Sequence, residues 1–571
     1  MARPPYAVAT PHGPATDAAA AAFERGGNAI DAALAAAAVL TVTYPHNCAL
    51  GGDLFALVRA PGGETVSVNA SGPAGSAADR PALRAALGAM PITGAPTVTV
   101  PGLVAGWERI HALGARDTWS RAIEPAIGYA EGGVTVAPGL ADAIAEATLS
   151  DRGLAEVFAP GGRRLAAGDR LHQPALARTL GAIAEHGAAA FYDGPIARRI
   201  VDVVVAAGGH LTAADLRGYA PEIGPPLRGP FRDLDVLTSP PNSSGVLVLQ
   251  ALAALEAAGL ADPLGDDAGA LAEILRLGDH DRTQMLGDPR HVPFDLDAWL
   301  GDAHLAELVG EARLASHGER LAATVQANAT PNGDTAAIVA WDGDGWAVSL
   351  IQSLFHSFGA QVLEPATGVV LQNRGAGFSL EDAHPNALAP GRRPAHTLMP
   401  MMVERDGRLA GVLGTMGGKV HAQIHVQVLL GLLDGRSPQD AVDAPRWIVG
   451  GMEIGERDGQ LVGVLGTMGG KVHAQIHVQL LLGLLDGRSP QEAVDAPRWI
   501  VGGMEIGERD DMIRIEDGCA ESARHALSRA TLHALRLPRG SEWLGHAQAI
   551  WLPGGCGAGS DFRADGAAAV G

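Results

Sequence analysis

A hydroxyl attacks well at neutral pH only with a base beside it, and one threonine in this chain is placed to carry its own. Residues 331–345 read PNGDTAAIVAWDGDG, with Thr335 between a turn-forming cluster and an apolar run. One reading is a loop entering a strand. The other is a cut between Asp334 and Thr335. The freed α-amine, with an unperturbed pKa of about 7.7–8.0, would then take the proton of the same residue's hydroxyl, directly or through one water. The Asn332-Gly333-Asp334 turn favours attack by the Thr335 hydroxyl on the Asp334 carbonyl, and hydrolysis of the resulting ester completes the cut. The product would be an amide-cleaving enzyme with Thr335 as nucleophile.

The elements that must position Thr335 are legible around it. TAAIVAWDGDGWAVSLIQS reads as two strands about an Asp-Gly-Asp-Gly turn. That turn lacks the spaced oxygen ligands of a calcium loop. Upstream, the spacing predicts a helix over 17–27 ended by Gly26-Gly27 and a second over 28–40. A hairpin with a Gly-Gly turn follows in LFALVRAPGGETVSVNAS. Helical periodicity marks 174–192 and 196–209, and 246–276 reads as one more apolar helical stretch. The polar segment 318–334 reads as an exposed connection.

A repeat interrupts the second half. The 52 residues 404–455 recur as 456–507 with four differences: Arg408/Gln460, Ala410/Val462, Val428/Leu480 and Asp440/Glu492. Two units do not make a solenoid. One copy is expected to fill the native position and the other to loop out or dock as an extra layer.

Bulk properties exclude several classes. The net charge of −21 disfavours nucleic acid and anionic membranes as partners. Cys48, Cys519 and Cys556 form no CxxC, which fits a reducing compartment. No basic segment followed by an apolar one opens the chain, and the Ala-rich stretch 29–44 is short and carries Asp31. A cytoplasmic enzyme acting on a small molecule is expected. His421 and His425, repeated as His473 and His477, share a helix face, but Ala422 stands where HExxH has its glutamate. Neither a metal nor another cofactor is expected.

Several motifs in order resemble the γ-glutamyltransferase family of N-terminal-nucleophile hydrolases. They are Gly26-Gly-Asn-Ala-Ile-Asp-Ala-Ala33, Pro101-Gly-Leu-Val-Ala-Gly106, Pro240-Pro-Asn-Ser-Ser-Gly245, Arg392-Arg-Pro394, Gly417-Gly418 and Asp443-Ala-Pro-Arg446. The resemblance implies an α+β fold, a four-layer αββα sandwich. It also implies a proenzyme cut into a large subunit, 1–334, and a small one, 335–571. The two would be intertwined in one domain and could pair again as a heterotetramer. By resemblance Thr335 is the nucleophile and Ser353 the hydroxyl that hydrogen-bonds it. Gly417 and Gly418 supply the backbone N–H groups of the oxyanion hole, with Gly469 and Gly470 as the alternative pair. Ser243, Ser244 and Asp561 also fall in family-like motifs, and a turn or capping role is expected for them.

Departures from the family pattern bear on the substrate. Asn69 stands where γ-glutamyl enzymes have the arginine that holds the α-carboxylate. Gly377 stands in place of the aspartate for the α-amine, Phe355 in place of an asparagine, and His396-Thr397 in place of a serine pair. Losing both charged grips on a zwitterionic amino acid argues against efficient γ-glutamyl transfer. The stretches QNRGAGFSL, HTLMP and TMGG are similar to the oxamate amidohydrolase branch. There, Arg374 would meet a substrate carboxylate and His396 the remaining oxygen or the leaving nitrogen, or else Arg374 is a structural ion-pair partner. True γ-glutamyl transfer, a cephalosporin-type acylase, and an uncut non-catalytic homologue are the alternatives.

Overall fold

The structure, a computed structural model, describes residues 4–263, 266–316, 325–326, 335–416, 421–433, 435–443, 499–501, 512–517, 521–529, 533–538, 546–552, 556–561 and 565–571. Asp334, Gly417, Gly418, Gly469 and Gly470 lie outside them, as does nearly all of the second repeat copy.

The chain forms two compact units. The first comprises Met1–Pro225, Asp334–His396 and Gly571; the second comprises Pro226–Gly333 and Thr397–Val570. Each unit draws chain from both sides of residue 334, so neither the large nor the small subunit expected from the sequence is a compact unit by itself.

Six strands of the first unit join in one antiparallel sheet. In chain order they are β1 (Tyr6–Thr10), β2 (Asp53–Arg59), β3 (Thr65–Ala70), β4 (Glu222–Gly224), β5 (Thr335–Asp342) and β6 (Ala347–Ser353). The spatial order is β1-β5-β6-β2-β3-β4. The β5–β6 hairpin turns where the sequence places it. Asp342 Oδ1 accepts from the backbone N–H of Asp344 and Trp346, and its Oδ2 accepts from Ala29 N–H at 2.9 Å. The aspartate that closes the hairpin thus also meets the positive end of a helix. The central strands β2, β5 and β6 are buried along nearly their whole length, which matches their unbroken apolar runs.

Helices α1 (Gly13–Glu24) and α2 (Ala29–Thr43) pack on each other and on this sheet. α1 begins four residues earlier than the periodicity suggests, with Pro14 in its first turn. α2 is capped by Asn28, whose side chain accepts from the N–H groups of Ile30 and Asp31, while Asp31 accepts from Asn28 N–H. All fifteen of its residues are buried. This burial carries the helix through the β-branched Thr41-Val42-Thr43, which local propensity would have ended at 40.

The second unit has a six-stranded antiparallel sheet. Its order is Gly557–Ser560, His546–Trp551, Arg408–Met416, Met401–Arg405, Leu234–Thr238, Leu227–Phe231. Its helices include Val246–Ala258, Ala268–Met285 and His421–Leu433. The stretch 246–276, read as apolar and helical, holds one helix and the start of a second. Gly259 takes a left-handed conformation, φ 62°, and its N–H closes the first helix on Leu255 and Glu256. The first repeat copy supplies the strand Arg408–Met416 and the helices His421–Leu433 and Pro438–Asp443. Trp499–Val501, from the second copy, pairs with Met512–Glu516. Among the described residues no helix is long and apolar enough to cross a membrane.

Candidate active site

The site is built at one end of three adjacent strands. Thr335, the first residue of β5, stands opposite Ser353, the last of β6, and Ser353 stands opposite Asp53, the first of β2. Directly opposed residues of an antiparallel pair point to the same face, so the three side chains lie in one row. Each is buried: Thr335 is 2% exposed, Ser353 and Asp53 0%. The Thr335 hydroxyl donates to Ser353 Oγ at 3.0 Å, which fixes its rotamer.

Ser353 Oγ gathers further donors, the backbone N–H of Phe355 at 2.8 Å and Arg374 Nη2 at 3.3 Å. Phe355 has φ 83°, a conformation costing a bulky residue about 1–3 kcal/mol. The family's asparagine tolerates it far better. Here its N–H bond to Ser353 and the Arg374 guanidinium, 4.0 Å above the ring centroid, hold it there.

Arg374 enters from the loop after residue 371. Gln372 N–H donates to Gly51 O and Asn373 N–H to Leu354 O, so the loop runs along the ends of β2 and β6. Gln372 Oε1 accepts from Arg374 N–H at 2.8 Å, and Asn373 Oδ1 accepts from His356 N–H. Gly375 lets the backbone press on Thr97, whose carbonyl oxygen would lie 2.6 Å from any Cβ added there. Arg374 is 1% exposed, and its Nε lies 4.0 Å from Asp53 Oδ2.

Asp53 is the hub. Its Oδ1 accepts from Gly72 N–H at 3.1 Å and Gln372 Nε2 at 3.2 Å, and its Oδ2 faces His396 Nε2 at 3.1 Å. Burial pushes its carboxyl up to about 7, against the opposing pull of Arg374, the Gly72 and Gly102 N–H groups and Arg393. Burial, with the Arg374 charge second, holds nearby His356 down at about 3, a neutral ring.

Of the residues singled out from the sequence, Thr335, Ser353, Arg374 and His396 come together. Asn69 does not serve as an open grip. It lies on β3 beside Phe55, but its Oδ1 accepts from Ser71 N–H at 3.0 Å and Ser71 Oγ at 2.7 Å. Its amide oxygen is taken up in a local Asx turn. Thr397 is buried in the second unit. Ser243 and Ser244 have the structural partners expected of turn residues: Ser243 Oγ donates to Leu398 O, and Ser244 Oγ accepts from Arg282 Nε. Asp561 pairs with Ala547 N–H. His425 Nε2 lies 2.6 Å from Met399 O, so this ring nitrogen carries a proton and donates. The residue the sequence reading passed over is Asp53, whose signal was a carboxylate opening the otherwise apolar LFALV strand.

The fold is that of amide-cleaving enzymes. It matches cephalosporin acylase from Bacillus halodurans with a TM-score of 0.81 at 29% identity, covering 100% of this chain and 96% of that one. The expected α+β class of the N-terminal-nucleophile hydrolases is the one found. The chain belongs to the gamma-glutamyltranspeptidase family, which it matches over residues 15–455 and 452–571, two pieces meeting where the repeat copies meet. Similar proteins include the oxamate amidohydrolase proenzyme of Klebsiella pneumoniae, 36% identical over 77% of this chain and 84% of that protein. The glutathione hydrolase-like YwrD proenzyme of Bacillus subtilis is 34% identical, over 78% and 85%. The acylase ACY 1 proenzyme of a Pseudomonas strain is 35% identical, over 78% and 83%. This chain is accordingly an enzyme acting on amide bonds, and these relatives are made as proenzymes.

Proposed function

We propose that the protein is a self-processing threonine amidohydrolase for small acidic amides of the oxamate type. The observation carrying this reading is the hydrogen-bonded line from Thr335 through Ser353 to the buried Arg374, at 3.0 and 3.3 Å. A hydroxyl at the head of a central strand lies two contacts from a cation able to hold a carboxylate. The chain is cut between residues 334 and 335, and the Thr335 α-amine takes the proton as Oγ bonds to the substrate carbonyl carbon. The family resemblance assigns the N–H groups for the tetrahedral oxygen to Gly417 and Gly418, which lie outside the described residues. The C–N bond breaks as the amine returns the proton to the leaving nitrogen, and ammonia departs. Water, deprotonated by the same amine, then attacks the ester and frees the diacid and Thr335. The two fragments stay together because β5 remains between β1 and β6. A reducing cytoplasm accords with the free thiols of Cys48 and Cys556.

Mass spectrometry of the new N-terminus, together with ammonia release from oxamate against p-nitroaniline release from γ-glutamyl-p-nitroanilide, tests the reading. A Thr335 terminus and preference for oxamate are expected. An intact 334–335 bond in protein that cleaves amides would overturn it.

A further inference from the structure

Arg374 is a cation almost wholly removed from water, and the Asp53 carboxylate lies 4.0 Å from its Nε. That carboxylate is itself fully buried and shared, facing His396 Nε2 at 3.1 Å. An arriving substrate carboxylate adds a second negative charge beside one guanidinium. In a buried site two carboxylates and one cation do not all stay ionised when a proton acceptor is present.

We propose that Asp53 is a specificity-determining counter-charge: an anionic substrate binds at Arg374 by displacing Asp53 electrostatically, and the Asp53–His396 pair takes up one proton as it does so. This rests on the proposed reading that Arg374 receives the substrate carboxylate. The proton joins the pair and no covalent bond changes. Neutral amides need no such exchange, so proton uptake on binding is specific to substrates carrying a carboxylate next to the scissile amide, and Arg374 discriminates for them best below the value of the empty pair.

Two groups can take the proton, this pair and the freed Thr335 α-amine of the mature enzyme. The amine's ordinary value of about 7.7–8.0 makes an Asp53 variant the control that tells them apart. The other surroundings do not compete. Arg393 is neutralised by Glu222, their atoms 2.6 Å apart. Tyr192 and Tyr219 are buried phenols, both pushed upward by burial and so proton-bearing already. His356 is held neutral and its pKa lies far below neutrality, so it does not compete. Glu108 accepts from Ala188 N–H, away from the row. The pair's own poise is suited to the exchange, since burial has already brought Asp53 to about 7. An added anion raises it further, so affinity should fall up to tenfold per pH unit once pH exceeds the value of the empty site.

Oxalate, the product expected from oxamate, is the probe, titrated calorimetrically into the mature enzyme at pH 8 in two buffers of different ionisation enthalpy. Between half and one proton taken up per oxalate is expected, and close to none with Asp53→Asn. Should that variant fail to fold, Asp53→Ser, which also removes the carboxylate and keeps the Thr335 amine, takes its place. Uptake that persists in either variant assigns the proton to the amine and overturns the inference. Tight oxalate binding without proton uptake overturns the inference while leaving the amidohydrolase reading in place. Failure of oxalate to bind, with no turnover of oxamate, overturns both.

Discussion

Thr335 and Ser353 face each other as the opposed terminal residues of neighbouring strands, their hydroxyl oxygens 3.0 Å apart. Replacing Thr335 with Ala removes the attacking oxygen for both backbone cleavage and substrate turnover. Denaturing electrophoresis should show one 571-residue chain in place of fragments of 334 and 237 residues. Ammonia release should fall to background. A cut, active Thr335→Ala protein would refute the assignment.

Ser353→Ala keeps the nucleophile but removes the oxygen that orients it and accepts from Phe355 N–H and Arg374. A hydrogen bond of this kind contributes about 0.5–1.5 kcal/mol, more when the donor is charged. The expected loss in kcat is therefore on the order of tenfold, with slower processing. Ser353→Thr, which restores the hydroxyl the family pattern carries, should retain most of the activity. Single-turnover rates on the matured proteins separate this from a folding defect, and an Ala variant as fast as wild type would dismiss the role.

Arg374→Gln tests the carboxylate grip. A charged hydrogen bond contributes roughly 1.5–3 kcal/mol, so KM for oxamate should rise about 10- to 150-fold. KM for the neutral oxamide should change far less. Equal losses for both substrates would mean that Arg374 acts only as a structural partner of Phe355 and Asp53.

What the sequence showed and what it hid divide along physical lines. Thr335, the Asp342 turn and the two strands were legible because turn chemistry and apolar runs are local signals. Asn69 and Asp53 were not. Asn69 aligned with a substrate grip, yet Ser71, two residues on, claims its side chain. Asp53 looks like a strand-edge carboxylate, and only the folded sheet brings Ser353, Gln372, Arg374 and His396 around it. The helical character of 246–276 was legible, but the break inside it was not, because apolar content does not reveal that Gly259 adopts a left-handed backbone.

The repeat gives a prediction because its four differences fall on described residues of the first copy. Arg408 is exposed, whereas Ala410, Val428 and Asp440 are buried, and Asp440 accepts from Ser437 Oγ at 2.7 Å. The second copy puts the larger Val462, Leu480 and Glu492 at the matching places. Inserting methylenes into a filled core costs about 1–3 kcal/mol each. Deleting 456–507 should give a protein at least as stable as the full chain, and deleting 404–455 a less stable one. Thermal melts of the two deletions compare them directly, and the reverse order would mean the second copy is the better fit.

Acid sensitivity follows from His12, which lies buried with Nδ1 2.9 Å from Thr43 Oγ1. Burial lowers it from 6.5 to about 4. In the unfolded chain the ring protonates as pH falls through about 6.5, while in the folded protein it stays neutral until about 4. Between those values the unfolded state holds the extra proton, so stability is full above 6.5 and is lost as pH drops toward 4. At 1.36 kcal/mol per pH unit the loss from this residue is about 3 kcal/mol. Asp53 works in the opposite sense. Its folded value near 7 lies above the unfolded 3.8, so its contribution is full below 3.8 and declines as pH rises toward 7. The net slope between pH 4 and 6.5 therefore understates either group alone, and comparison with variants separates them. His12→Asn should lower the slope of unfolding free energy against pH by one proton in the 4–6.5 window. Asp53→Asn should raise that slope by one proton over the same range. Denaturant melts at half-unit pH steps measure both slopes, and a His12→Asn slope equal to wild type would show that His12 is protonated in the folded protein.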